Sequence, residues 1–284
     1  MPGIIFTDLD GTLLSHDDYR LESALPLIRE LKSAGVQIVL STSKTLTEVL
    51  TWRTRLGLDD PFMVENGSAL YLPLGDFAET DLGDAPFTRT DAFFRVVLGT
   101  PISRLEKFLA PYEGEVTTLT GCSLAEAITL TGLTEPEAIA ARAREFTLPL
   151  VVHSDAVRDK LTHNAGAAGL TCQQGGRFLH LQGACDKGQA LRLLVRIMSA
   201  RTGLHHESLA LGDSENDRHM LEAADIAVVV RSPRGHRLQL EKSGTLYTRE
   251  TAPAGWIEGI GTALANQSVR HRFLRERAGG TTHG

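Results

Sequence analysis

Cysteine is scarce in this chain. Cys122, Cys172 and Cys185 stand far apart in 284 residues, and an odd number without pair spacing gives no disulfide framework. Reduced thiols in a cytoplasmic protein are the expectation. A basic excess is missing as well, since 29 Lys and Arg are outnumbered by 35 Asp and Glu, for a formal charge of −6. That excludes the charged footprint of a nucleic-acid binder. No apolar run approaches the roughly 18 residues of a membrane span, so no membrane partner is expected. The first strand runs directly into Asp8, so a secretory leader is not expected. Repeats and low-complexity tracts are also lacking. What is present is ample apolar content, 42%, enough for one large domain or two ordinary ones. An acidic chain that handles an anionic small molecule needs local positive charge or a cation, which draws attention to the lysines and arginines nearest its carboxylate clusters.

The stretch Ile4-Ile5-Phe6-Thr7-Asp8-Leu9-Asp10-Gly11-Thr12-Leu13-Leu14 organises the rest. Apolar and β-branched residues lead straight into two aspartates one residue apart, and glycine and threonine follow where a strand must turn. Most Asp-x-Asp pairs are surface turns; a pair placed directly behind a buried strand is rarer. Carboxylates at this spacing can share one hard cation, and one of them can attack phosphorus.

Further along, apolar residues at 24, 25, 28 and 31 predict a helix within 21–34, and 36–40 reads as a buried strand ending at Ser41-Thr42-Ser43-Lys44-Thr45. Strand, helix, strand predicts a parallel sheet, which binds ligands at the carboxyl ends of its strands, where both Asp8 and Thr42 lie. The Thr42 hydroxyl can meet a phosphoryl oxygen and Lys44 adds charge; taken alone, a helix cap at Thr42 or Ser43 is the plainer reading, and position relative to Asp8 reverses that preference for Thr42. A helix over 45–56 and a strand over 62–64 lead to Glu65-Asn66-Gly67, a hairpin signal. Residues 74–89 read as a linker. Beyond them come strands over 93–98, 116–119, 148–152, 170–174 and 178–181, and helices over 103–109, 124–130, from Thr134, and 154–165. This is a second unit of α+β type. Asp186-Lys187-Gly188 opens a helix through 200, and the strand 208–211 ends in Gly212-Asp213-Ser214-Glu215-Asn216-Asp217. A helix to 223 and a strand over 226–230 follow, and the segment from 269 has no periodicity.

Asp8-Leu9-Asp10-Gly11-Thr12, Thr42, Lys187 and Gly212-Asp213-x-x-Asn216-Asp217, in that order, resemble the four motifs of the haloacid dehalogenase-like phosphohydrolases over essentially the whole chain. The resemblance implies an α/β fold with a Rossmann-like parallel-sheet core (1–85 and 183–268), an inserted α+β cap (86–182) and a flexible tail (269–284). It implies Mg²⁺ held by Asp8, Asp10 and Asp213, with Asn216 and Asp217 behind them. Asp8 is then the nucleophile, Asp10 the acid and base, and Thr42 and Lys187 hold the transferring group. The insert points to the large-cap (Cof-type, IIB) branch, where Glu65 and Asn66 become site candidates. Ser41-Thr42-Ser43-Lys44-Thr45, Leu130-Thr131-Gly132-Leu133 with Arg144-Glu145-Phe146, and Gly175-Gly176-Arg177-Phe178 with His180 resemble the mannosyl-3-phosphoglycerate phosphatase family. Ser43, Lys44, Glu65, Asn66, Arg144 and Arg177 are its implied substrate-binding residues. Arg144 and Arg177 are suited to a bidentate clamp on a carboxylate. Thr147-Leu148-Pro149 stands where that family usually carries a Glu. The implied partner is a small phosphorylated glycoside. Glucosyl-3-phosphoglycerate or broader sugar phosphates are alternative substrates, a phosphomannomutase-type phosphotransferase is a second reaction type, and a catalytically silent binding protein is a third class.

Overall fold

A computed structural model describes residues 3–16, 19–175, 178–233, 235 and 238–274. The chain divides into two compact units, Met1–Leu40 with Ala78–Gly83 and Leu191–Gly284, and Ser41–Phe77 with Asp84–Ala190.

The first unit is built on parallel strands in the order Leu246–Thr251, Ile226–Arg231, Ser208–Gly212, Ile4–Thr7, Gln37–Ser41. Every neighbouring pair in that order is parallel. Ile4, Ile5 and Phe6 are buried on both faces, which is why this strand reads as a continuous apolar run rather than an alternating one. Helix Leu25–Ser33 buries Ile28 and Leu31, and helix Ala254–Ala265 buries Trp256, Ile260 and Ala263. The long helix Lys187–Thr202 starts in the second unit and ends in the first.

Antiparallel pairing dominates the second unit. Strands run in the order Phe62–Val64, Ala69–Pro73, Phe93–Val97, Phe87–Arg89, and in a separate sheet Val116–Thr118, Thr147–Val152, Leu179–Gly183, Leu170–Gln174. Leu148, Leu150, Leu179 and Leu181 turn one face of the second sheet into a core with Leu105, Leu109, Tyr112 and Leu161. Period-two alternation therefore places Thr147, Pro149, His180 and Gln182 on the opposite face.

Sequence and structure differ in several places. The 74–89 linker contains the strand Phe87–Arg89 and buries Phe77, Leu82 and Ala85. Asn66-Gly67 does join an antiparallel strand pair, through a one-turn 3₁₀ segment over Glu65–Gly67. The sequence reading missed the strand Leu246–Thr251 and the helices Ala254–Ala265 and Gln267–Phe273. The last of these runs past 269, where a flexible tail was expected. It is capped by the Asn266 side chain and tied down by Gly3 N–H donating to the Phe273 carbonyl at 3.2 Å. No helix among the described residues is long and apolar enough to cross a membrane.

Candidate active site

In the first unit the strand Ile4–Thr7 delivers Asp8, whose N–H donates to the Leu211 carbonyl of the neighbouring strand at 3.1 Å. The backbone on the other side of Asp8 is held by a relay: Trp256 Nε1 donates to Thr7 Oγ1 at 3.1 Å, and Thr7 Oγ1 donates to the Asp8 carbonyl at 2.7 Å. After Asp8 the chain reverses tightly, with the N–H groups of Leu13 and Leu14 both donating to the Leu9 carbonyl at 3.0 and 2.8 Å. Gly11 sits at φ +81, and a Cβ there would lie 2.6 Å from Asp213 Oδ2 and 2.7 Å from His16 Nε2. Only glycine meets both the left-handed conformation and the close approach. Gly11→Ala is expected to lower stability by about 2 kcal/mol or more, read by chemical denaturation, and to weaken divalent-cation binding in the same protein, read by calorimetry.

Asp8, Asp213 and Asp217 bring one carboxylate oxygen each within 4.8 Å of one another, and all three are buried. Asp217 Oδ2 accepts the N–H groups of Asp213 and Ser214 at 3.1 and 3.2 Å, which shapes the loop. Thr12 Oγ1 donates to Asp213 Oδ1 at 3.4 Å, and His16 Nε2 lies 3.4 Å from Asp213 Oδ2. Asn216 accepts the Ser214 hydroxyl through Oδ1 at 2.6 Å. Asp10 forms a backbone bridge with Leu14, and its carboxylate is not one of the three clustered groups. Three buried carboxylates repel one another strongly unless a positive charge lies among them. An oxygen-only donor set suits a hard divalent cation.

The second unit collects the remaining candidates. The helix cap after the strand Gln37–Ser41 is Thr45, neither Thr42 nor Ser43: Glu48 N–H donates to Thr45 Oγ1, and Thr45 N–H to Glu48 Oε2. Thr42 Oγ1 accepts the Lys44 N–H at 3.3 Å, and Lys44 pairs with Glu48 at 3.7 Å. The Glu65–Gly67 segment lies against this loop, with Glu65 N–H donating to the Lys44 carbonyl and Asn66 N–H to that of Thr42, each at 2.9 Å. Gly67, at φ +84, lets the backbone touch the start of the long helix, since a Cβ would meet the Asp186 carbonyl at 2.6 Å and Lys187 Cα at 3.0 Å. Lys187 itself has no exposed surface. Asp186 caps its helix by accepting the Gln189 N–H at 2.7 Å.

Glu65 is engaged with protein rather than open to a ligand. Its carboxylate accepts Glu145 N–H on Oε1, and Phe146 N–H, Thr147 N–H and the Thr147 hydroxyl on Oε2, at 2.7 to 3.1 Å. Those four bonds offset the cost of a left-handed backbone at Glu65, φ +48. Asn66 Nδ2 donates to Gln182 Oε1 at 3.0 Å. Arg144 donates to the carbonyls of Ala141 and Ser43 and to Thr147 Oγ1. Leu148, the middle residue of the Thr147-Leu148-Pro149 stretch that departs from the resembled family, has no exposed surface and sits in the apolar core. Arg177 lies outside the described residues.

His180 was not among the nominated site residues. It is buried, its Nδ1 has no hydrogen-bond partner among the described residues, and burial together with the charges of Arg144 and Lys187 pushes its pKa down to about 3. The imidazole is therefore neutral at working pH. Strand alternation placed it opposite the core face, but its surroundings come from residues distant in sequence.

Comparison with known proteins follows the same outline. Residues 5–78 match the model of the haloacid dehalogenase-like hydrolases. A glucosyl-3-phosphoglycerate/mannosyl-3-phosphoglycerate phosphatase of Persephonella marina is 30% identical over 260 residues, covering 90% of this chain and 95% of the relative. One of the same name from Methanococcoides burtonii is 33% identical over 267 residues, covering 92% and 96%. Among solved structures, a phosphatase of the haloalkanoate (HAD) enzyme superfamily from Bacteroides thetaiotaomicron aligns with a TM-score of 0.64 at 17% identity, covering 95% of this chain and 96% of that one. The chain belongs to the haloacid dehalogenase-like hydrolases, in the family that contains these two phosphoglycerate-glycoside phosphatases.

Proposed function

We propose that this chain is a cytoplasmic, Mg²⁺-dependent phosphatase that releases phosphate from mannosyl-3-phosphoglycerate, with the glucosyl compound as a second substrate. In the same reading, residues 86–182 serve as the inserted cap. The observation that carries the substrate is that two relatives aligned over nine-tenths of the chain are both named for this pair of esters. The product glycosides are compatible solutes, the role implied by the family resemblance. Arg144, a cation for which no acidic partner is found among the described residues, supports the same choice, because a glycerate carboxylate supplies what Arg144 lacks.

Asp8, Asp213 and Asp217 would hold the cation, which when bound neutralises charge on carboxylate and phosphate. An Asp8 carboxylate oxygen attacks phosphorus, and the bond from phosphorus to the glycerate 3-oxygen breaks. Asp10 gives its proton to that oxygen. Asp10, now a carboxylate, takes a proton from water as the water attacks the aspartyl-phosphate, releasing phosphate and restoring Asp8. Thr42 and Lys187 hold the transferring group, and Ser43, Lys44 and Asn66 line the substrate beside Arg144.

The test is phosphate release from mannosyl-3-phosphoglycerate, glucosyl-3-phosphoglycerate, mannose 6-phosphate and 3-phosphoglycerate, with and without chelator. Mg²⁺-restored turnover of the two glycosides, at least about tenfold above the simple esters in kcat/KM, is expected. Equal turnover of all four would remove the substrate assignment and leave a general sugar phosphatase. Transfer of phosphate to an added sugar instead of water would replace hydrolysis by phosphotransfer.

A further inference from the structure

A guanidinium has five N–H donors, one on Nε and two on each Nη. In Arg144 the Nε proton goes to the Ala141 carbonyl at 3.0 Å, and Nη1 donates to the Ser43 carbonyl at 3.1 Å and to Thr147 Oγ1 at 2.8 Å. Only Nη2 is uncommitted among the described residues. Each of the two-nitrogen forks that Arg normally offers a carboxylate needs a proton that is already used. Arg144 therefore meets an anion through Nη2 alone, where the sequence had suggested a bidentate clamp, and the aim of Nη2 is set by what grips the other nitrogens.

Thr147 is the decisive grip. Its hydroxyl has one proton, which it donates to Glu65 Oε2 at 2.7 Å, so toward Arg144 it can only accept. Glu65 in turn is held by the N–H groups of residues 145 to 147 and cannot turn away without leaving them unsatisfied. Glu65 and Thr147 are buried, which makes the chain of charge-assisted bonds rigid. The contact to the Ser43 carbonyl ties the same guanidinium to the loop carrying Thr42. We propose that Glu65 and Thr147 are positioning residues for Arg144, and that this relay makes phosphate esters bearing a carboxylate the preferred substrates. The inference rests on the proposed function, in which Arg144 receives the glycerate carboxylate.

Steady-state kinetics of wild type, Thr147→Val and Thr147→Ser on mannosyl-3-phosphoglycerate and mannose 6-phosphate test it. Valine keeps the shape and removes the oxygen; serine restores the oxygen. The ratio of kcat/KM for the carboxylate ester to that for the plain ester is expected to fall about tenfold to hundredfold in T147V, through KM for the former. T147S should recover it to within about threefold. An unchanged ratio in T147V, or an equal loss on both esters with no change in ratio, overturns the inference. If T147V does not fold, Thr147→Ala supplies the same comparison, since it also removes the oxygen while Glu65 keeps its three backbone N–H donors. A wild-type enzyme without preference for the carboxylate ester would instead remove the proposed substrate, whatever the variants do.

Discussion

Asp8→Asn is expected to lower kcat by about 10³-fold or more while raising the melting temperature of the metal-free protein. The two effects have one origin. Asp8, Asp213 and Asp217 crowd three buried carboxylates within 4.8 Å. At an effective dielectric constant of about 20, two charges about 4 Å apart repel by about 4 kcal/mol. Replacing one carboxylate by a neutral amide of the same shape removes part of that repulsion, and at about 2–4 °C per kcal/mol the gain is measurable. The same amide is too weak a nucleophile to attack phosphorus. Added Mg²⁺ should stabilise wild type more than the variant, which separates loss of the cation site from loss of the nucleophile. Calorimetric melting with and without Mg²⁺, run beside phosphate release, checks the pair. A lower melting temperature in metal-free D8N would show that the cluster is not under electrostatic strain.

Lys187→Met should be almost as damaging to turnover, by about 10²–10³-fold in kcat. Lys187 has no exposed surface, and its helix start is fixed from outside by Gly67 and from within by the Asp186 cap. A lysine at a helix N-terminus opposes the helix dipole, so its place there calls for an anion. Methionine keeps the length and apolar stem and removes the charge. Inorganic phosphate should no longer protect the variant against thermal unfolding. A second readout lies at His180, whose pKa is held down first by burial and then by Arg144 and Lys187. Removing the Lys187 charge must raise it, and an imidazole titration followed by NMR shows the direction. An unaltered kcat in K187M would dissociate this lysine from the reaction.

Much of the candidate site was legible because its parts sit next to strong local signals. Ile4-Ile5-Phe6 announces a buried strand, and Asp8, Gly11 and the 213–217 loop lie at strand ends where a parallel sheet must place its ligand groups. Lys187 stood out in the sequence as a lysine at a helix start, and the structure places it there with no exposed surface. The relay to Arg144 was not, because Glu65 finds its donors 80 to 82 residues away, a distance at which single-sequence periodicity carries no information. Thr147 carried no motif of its own; only the cross-connection to Glu65 and Arg144 marks it. The carboxyl-terminal elements escaped for a different reason. Helix Ala254–Ala265 contains Gly255, Gly259 and Gly261, poor helix formers that packing against the sheet overrides. Leu246–Thr251 has a mostly part-exposed pattern with no apolar run.

The measurement that bears most directly on the account is rapid acid quenching during turnover of phosphorus-labelled mannosyl-3-phosphoglycerate, followed by digestion and peptide mapping. Label on the peptide containing Asp8, released by hydroxylamine and absent in D8N, is the predicted result. Turnover with no labelled peptide, or with label on a peptide that lacks Asp8, would contradict it.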